Sequence, residues 1–186
     1  MDKNLQELSD NLWTELVKGK VDKKHDFRYP VLGSMSQNGY PEIRTVILRD
    51  VLISERKLIF FTDYRSPKVM QLKAQPKASL LFYHYKKKLQ LRISGIVTLY
   101  NKDSLAKKYL SKLPEIALKD YLSITAPGKK VNNSLNELLT YKKAFENFTV
   151  VQIETTKIDY LQLKLEGHER MILTWNNGWD GEKVTP

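Results

Sequence analysis

Residues 44–49 read R-T-V-I-L-R and residues 58–68 read L-I-F-F-T-D-Y-R-S-P-K, and these two segments decide the fold. Further along, residues 78–83 read A-S-L-L-F-Y and residues 89–95 read L-Q-L-R-I-S-G. Each segment contains a run of branched and aromatic residues, which is typical of β-strands. Ser66 followed by Pro67 is typical of a helix start. The stretch therefore predicts antiparallel strands with cationic, hydroxyl and amide side chains near their ends.

Working outward, leucines at helical spacing predict an amphipathic helix over residues 3–18, ending near Gly19. The Asn38-Gly39 pair predicts a tight hairpin between strands 30–35 and 43–49. We predict the remaining elements as strands at 58–62, 78–85, 89–100, 149–154, 158–165, 169–175 and 179–184, and helices at 68–72, 104–112, 115–122 and around Leu135–Phe145. The fold class expected is mainly β with helices (α+β): a small antiparallel barrel with helices at its ends, in a single domain over residues 1–186.

Composition narrows the function classes. The 186 residues include no cysteine, which excludes disulfides and thiolate metal sites. The three histidines are scattered in sequence and predict no metal site. The N-terminus lacks the apolar run of a signal peptide, and no window has the ~20 apolar residues of a membrane span. We expect a cytoplasmic protein that does not enter the membrane.

The formal net charge of +10 allows two interpretations. A basic chain can bind nucleic acid. Here, however, the lysines are spread along the chain as short pairs, with one triplet at Lys86–Lys88. We therefore favour a solvated basic surface, with an anionic small ligand as the second interpretation and nucleic-acid binding as the third.

Two groups of cations are candidates for an anion site. Arg44 and Arg49 stand five residues apart, so on a regular strand they would point to opposite faces. Arg65, Ser66 and Lys68 surround the predicted helix start, where free N–H groups and the helix dipole favour a phosphate. Each group also fits ordinary surface residues when taken alone.

Three further residues are candidates later in the chain. Gln90 lies within a strand, and its amide can both donate and accept hydrogen bonds to a polar ligand. Gly95, five residues on, predicts a bulge or a close backbone approach. His168 and Arg170 flank a glutamate near the C-terminus and are candidates for acid–base work or substrate polarisation, although a polar turn entering a strand is the more ordinary explanation.

The joint pattern R-x4-R, F-T-D-x-R-S-x-K and Q-x4-G resembles the FMN-binding split barrels of the pyridoxamine 5′-phosphate oxidase-like family, and within it the Alr4036-like subgroup. The resemblance is best over residues 31–100. It implies FMN at the interface of a homodimer. It places Arg44, Ser66 and Lys68, with Arg65 compensating for a missing family arginine, on the phosphate. It places Arg49, Phe61, Thr62 and Gln90 along the ribityl chain and ring, and Arg170 on the flavin of the partner subunit.

The resemblance weakens at the substrate pocket. Where the oxidase has a signature of tyrosine, arginine, proline and serine, this chain has Tyr109, Leu113, Pro114 and Ala117. Glu166 replaces the first arginine of the C-terminal signature. We therefore expect an FMN-dependent oxidoreductase with an altered pocket and an unknown small-molecule substrate. The alternatives are a non-catalytic flavin-binding sensor or carrier, and a basic nucleic-acid binder.

Overall fold

A computed structural model describes residues 3–123, 125–129 and 141–186. Nine strands in this part of the chain form one antiparallel sheet, in the order β2-β1-β5-β6-β7-β4-β3, with β8 pairing β7 and β9 pairing β8. The strands are β1 (Val31–Met35), β2 (Pro41–Thr45), β3 (Asp50–Leu52), β4 (Lys57–Asp63), β5 (Lys77–His84), β6 (Leu89–Asn101), β7 (Phe148–Gln162), β8 (Glu169–Trp175) and β9 (Trp179–Lys183). The helices are α1 (Lys3–Val21), α2 (Pro67–Ala74), α3 (Ser104–Leu110), α4 (Glu115–Leu118) and α5 (Tyr141–Asn147), with 3₁₀ turns at Asp26–Arg28, Ile53–Glu55 and Lys119–Tyr121.

The expected fold class is confirmed: an antiparallel sheet carries helices outside it. The α1 helix turns Leu12, Trp13 and Leu16 into the main core, where they meet inward-facing residues of the sheet such as Phe60 and Ile153. Burial of this apolar stripe is what stabilises the helix in place. A second, smaller core lies between β4, β7 and the helices α3 and α5. No helix in the described ranges has both the length and the apolar character needed to cross a membrane.

Several boundaries differ from the predictions for physical reasons. The second strand ends at Thr45, so residues 46–49 lie outside it and a separate short strand, β3, follows. The predicted strands 149–154 and 158–165 are one strand, because Thr155-Thr156-Lys157 contains no turn residue. Asp103, not Ser104, caps α3, with its carboxylate accepting from the Ala106 N–H at 2.8 Å.

The predicted bulge at Gly95 is confirmed. The register between β6 and β7 shifts between Ser94 and Gly95. A Cβ atom on Gly95 would lie 2.2 Å from the carbonyl oxygen of Glu154. Leu135 and its neighbours in the predicted last helix lie outside the described residues, and α5 begins at Tyr141.

Candidate functional site

Four of the predicted site residues meet at the start of α2. Lys68 lies in the first turn of α2, and its Nζ donates to the hydroxyls of Ser66 at 2.7 Å and Thr62 at 3.2 Å. Thr62 comes from the end of β4, and Arg44 reaches the same region from β2. We call Arg44, Thr62, Ser66 and Lys68 the cation cluster. Within the described residues, Lys68 has no ion-pair partner.

The electrostatics of the cation cluster favour an anion. Burial lowers the pKa of Lys68, and the positive charge of Arg44 lowers it further, against an opposing effect from Asp63. Two like charges close together are costly unless a negative charge binds between them. Ser66 occupies the N-cap position of α2 but makes no side-chain cap, because its hydroxyl faces Lys68. The free N–H groups of the first turn add to the attraction.

Arg65 lies next to the cation cluster but is engaged elsewhere. Its Nε donates to Asp63 Oδ1 at 3.0 Å and its Nη2 donates to Oδ2 at 2.7 Å, a two-bond pairing with a buried carboxylate. Nη2 also donates to the Ser123 carbonyl at 2.8 Å. Asp63 therefore matches the charge of Arg65, and the pair shapes the turn that leads into α2.

Arg49 and Phe61 form a second group on the other side of β4. The Arg49 guanidinium carbon lies 5.7 Å from the centroid of the Phe61 ring. Phe61 also contacts the rings of Phe148 and Tyr109, which belong to the smaller core. Side chains alternate along a strand, so Phe61 and its neighbour Thr62 point to opposite faces. Because β2 ends at Thr45, the idea that Arg44 and Arg49 share one strand was wrong.

Gln90 and Arg170 form a third group. They occupy one row across three strands, since Gln90 on β6 pairs with Leu161 on β7, and Leu161 pairs with Arg170 on β8. Arg170 is held by Asp159, with Nε donating to Oδ1 at 3.1 Å and Nη2 donating to Oδ2 at 3.0 Å. Arg92 donates to the same carboxylate. These two guanidinium groups hold the pKa of Asp159 below its usual value despite burial, which acts in the opposite direction.

The sheet register separates the third group from the cation cluster. Arg44 pairs with Leu32, whose side chain is fully buried, so Arg44 belongs to the inner face. Gln90 pairs with Tyr83, which is 44% exposed, so Gln90 belongs to the outer face. A single subunit therefore does not bring the two groups together on one face of the sheet.

The outer face carries an open cavity and exposed apolar residues. A cavity of about 460 Å³ is lined by Val31, Ile43, Leu81, Arg92, Ser94 and Asp159, among others. Ile43 is 74% exposed and Leu81 is 37% exposed. An apolar face edged by polar residues is typical of a surface that binds another protein.

His168, a catalytic candidate, is exposed in the turn before β8. Its Nδ1 accepts from the Lys164 N–H at 3.3 Å. It lines a cavity of about 280 Å³ together with Tyr160 and Arg170. The two catalytic candidates thus share one depression, while the ring of His168 has no carboxylate partner in the described residues.

One cluster of polar residues was not predicted from the sequence. Glu15, His25 and His84 each place a ligand-type atom within 4.8 Å of the others. Lys18 and Lys87 approach the Glu15 carboxylate at 2.6 and 2.7 Å, so both oxygens already face a cation. His25 Nδ1 accepts from the Phe27 N–H, so the neutral ring carries its proton on the nitrogen that faces Glu15. This arrangement suits an ion-paired carboxylate better than a metal ion.

Comparisons with known proteins find relatives in one family. Residues 10–101 match the family described as pyridoxamine 5′-phosphate oxidase, FMN-binding domain. A pyridoxine/pyridoxamine 5′-phosphate oxidase from Aliarcobacter butzleri is 29% identical over 100% of this chain and 91% of its own length. The same enzyme from Bartonella henselae is 34% identical over 44% of this chain, but the match spans only 39% of that protein.

Solved structures extend the likeness to the whole fold. A pyridoxamine 5′-phosphate oxidase-related, FMN-binding protein from Nostoc punctiforme has a TM-score of 0.73 at 24% identity, covering 99% of this chain and 96% of that one. PhzG from Burkholderia lata, solved with tetrahydrophenazine-1-carboxylic acid, has a TM-score of 0.72 at 17% identity, covering 95% and 91%. With its antiparallel sheet and its matched sequence, the chain belongs to the pyridoxamine 5′-phosphate oxidase-like family of FMN-binding split barrels, whose cofactor is FMN.

Proposed function

We propose that this protein is an FMN-dependent oxidoreductase whose cofactor phosphate binds at the cation cluster. The observation that carries the proposal is Lys68: a half-buried ammonium group that contacts two hydroxyls and, among the described residues, no carboxylate. Arg44 stands close enough to lower its pKa. A phosphate dianion would satisfy both cations and accept from the Ser66 and Thr62 hydroxyls.

The remaining predicted residues take secondary places in this proposal. Arg49 and Phe61 stay predictions for the ribityl chain and ring, on the other side of β4. Gln90 and Arg170 stay predictions for the flavin ring. Because they lie on the opposite face from Arg44, they would reach a flavin bound at the cation cluster of a second copy. The proposal therefore includes a homodimer with FMN at its interface, within the single domain.

When bound, FMN supplies hydride or electron transfer. The protein's own residues bind and orient it: the cation cluster anchors one end, and Asp159 holds Arg170 in a fixed direction for the other. His168 and Arg170 stay the candidates for polarising a substrate. Relatives with the names pyridoxine/pyridoxamine 5′-phosphate oxidase support oxidoreductase chemistry, while the substrate of this chain is a separate matter.

The anchoring step is tested by titrating FMN and riboflavin into the variants Arg44→Ala and Lys68→Ala. Each variant should weaken FMN binding about ten- to a hundredfold, because each loses one charge-assisted contact. Riboflavin lacks the phosphate and should bind the variants as it binds the wild type. Lys73→Ala is the matched control, since Lys73 lies at the other end of α2 and contacts Tyr64. Unchanged FMN affinity in both variants would place the phosphate elsewhere.

Turnover is tested separately. Reduced FMN bound to the protein should be reoxidised by a suitable acceptor faster than free reduced FMN. Equal rates over a broad panel of acceptors would favour the alternative, a flavin-binding sensor or carrier without catalysis.

A further inference from the structure

Two buried polar side chains lie beneath Arg44. Ser34 on β1 and Gln71 on α2 are each 5% exposed. The Ser34 hydroxyl lies 2.7 Å from Gln71 Oε1. Arg44 Nη1 donates to Ser34 Oγ at 2.5 Å, and Nη2 donates to Gln71 Oε1 at 3.1 Å. The three side chains close a ring of hydrogen bonds that joins two strands and a helix.

Counting protons fixes the direction of each bond in this ring. A guanidinium group can only donate, so Ser34 Oγ accepts from Arg44 and its single O–H donates to Gln71. Gln71 Oε1 then accepts twice. A flipped Gln71 amide would turn its NH2 group toward the guanidinium, donor against donor. The ring therefore holds both the amide and the guanidinium in one orientation.

The acceptors that orient Arg44 from beneath are neutral. Arg65, by contrast, is held by the Asp63 carboxylate, which matches its charge. Arg44 does meet one carboxylate, Glu42, at 3.0 Å, but the Glu42 side chain is 48% exposed and is screened by water. Arg44 is thus fixed in direction while keeping its attraction for a further anion.

Helix geometry connects this ring to Lys68. Gln71 follows Lys68 by three residues on α2, and residues three apart lie on the same face of a helix. The α2 helix therefore presents Lys68 to the anion directly and, through Gln71, sets the position of Arg44. Accordingly we infer that Gln71 is a positioning residue of the phosphate site: with Ser34 it aims Arg44 at the FMN phosphate without neutralising it. This inference rests on the proposed function.

The test uses Gln71→Leu, which keeps the approximate size of the side chain and removes the acceptor. FMN affinity should fall about tenfold while riboflavin affinity stays unchanged. In an Arg44→Ala background, Gln71→Leu should cause no additional loss, because its effect passes through Arg44. Gln75→Leu is the matched control: Gln75 is exposed and follows the last residue of the same helix.

Each outcome separates the two claims. If Arg44→Ala leaves FMN binding intact, the proposed phosphate site itself fails. If Arg44→Ala weakens FMN binding and Gln71→Leu does not, only the positioning role fails. The positioning role also fails if Gln71→Leu lowers FMN affinity by the same factor in the wild type and in the Arg44→Ala background. If circular dichroism shows that Gln71→Leu does not fold, Ser34→Ala is used in its place. Ser34→Ala should weaken FMN binding by a smaller factor and leave riboflavin binding unchanged. Unchanged FMN affinity in Ser34→Ala would contradict the inference.

Discussion

Asp63 and Arg65 are joined by two hydrogen bonds, from Nε to Oδ1 at 3.0 Å and from Nη2 to Oδ2 at 2.7 Å. This pairing distinguishes Arg65 from Arg44, although the sequence pattern suggests the same role for both arginines. Arg44 is oriented from beneath by neutral groups, whereas Arg65 already has a buried carboxylate partner. Position close to a binding site therefore does not by itself make a cation available to a ligand.

The first prediction follows from this pairing. Arg65→Ala should weaken FMN binding much less than Arg44→Ala, by about threefold or less, because the charge it removes is already matched by Asp63. It should instead lower stability, since Asp63 is left buried without its partner. Flavin titration and urea unfolding of the two variants measure the contrast. A loss of FMN affinity equal to that of Arg44→Ala would contradict it.

The second prediction concerns the bulge. Gly95→Ala should destabilise the fold by about 2 kcal/mol or more, because the new Cβ would lie 2.2 Å from the Glu154 carbonyl oxygen. Gly178→Ala is the control, since a Cβ there meets nothing within 4 Å. Thermal unfolding of both variants gives the comparison. Equal midpoints would mean that β6 and β7 separate easily at the bulge.

The strands were predictable where local signals are strong. The hairpin around Lys86–Lys88 and the helix start at Pro67 depend on residues adjacent in sequence, and a single glycine within a strand pattern indicated the bulge at Gly95. The continuity of β7 was not predictable, because a 15-residue strand carries no local signal beyond the absence of turn residues. Strand β3 was not predicted either, because its three residues are too few to show an alternating pattern.

The site was predictable in part. The residue types of the cation cluster could be read from the sequence, and the structure places four of them together. Their partners could not be read, because Ser34, Gln71 and Asp159 are joined to arginines only by tertiary packing. A hydrogen bond between Arg44 and Gln71 spans 27 positions in sequence, and single-sequence patterns carry no signal at that distance.

The third prediction is a pH dependence centred on Glu15. Burial raises the pKa of Glu15, but hydrogen bonds and charges from Lys18 and Lys87 outweigh it and bring the pKa from 4.5 to about 2. The lowered pKa stabilises the fold above about pH 4.5, and this contribution disappears as the pH falls toward 2. Its size at neutral pH is on the order of 1–3 kcal/mol.

The measurement compares urea unfolding of the wild type and Glu15→Gln from pH 7 down to pH 2. The variant should be less stable at neutral pH, and the difference should shrink as the pH approaches 2. Glu7→Gln, exposed on the same helix, is the control and should follow the wild type. A difference that stays constant over the whole range would show that the Glu15 charge contributes nothing.

The fourth prediction is that the flavin site is built from two subunits. Arg44 and Arg170 lie on opposite faces of the sheet, so an Arg44→Ala chain and an Arg170→Ala chain should each bind FMN poorly alone. Co-expressed, they should form mixed dimers with one intact site, about a quarter of all sites if mixing is random. Sedimentation should show a dimer at micromolar concentration. A monomer with full flavin occupancy, or no recovery on mixing, would contradict the prediction.

The fifth prediction is that this protein is a poor pyridoxamine 5′-phosphate oxidase, although it belongs to the family. The position where the oxidase carries a substrate-binding arginine is Leu113, which packs against the smaller core and offers no charge. Ala117 replaces the serine, and the exposed Glu166 replaces a second arginine with negative charge. Tyr109 is retained, but its hydroxyl donates a hydrogen bond to Asp50 at 2.8 Å. Burial, and after it this hydrogen bond, raise the pKa of Tyr109.

Each missing contact should reduce the affinity for a phosphorylated substrate by about ten- to a hundredfold, so two or three together remove useful binding. The assay follows pyridoxal phosphate formation from pyridoxamine phosphate and pyridoxine phosphate by FMN-loaded protein in air. The Aliarcobacter butzleri oxidase, which matches this chain along its whole length, serves as the positive control. We expect little or no turnover by this protein under conditions in which the control is active. Saturable turnover at low micromolar substrate would contradict the prediction. It would show that other cations, such as the exposed Lys112, replace the missing arginines.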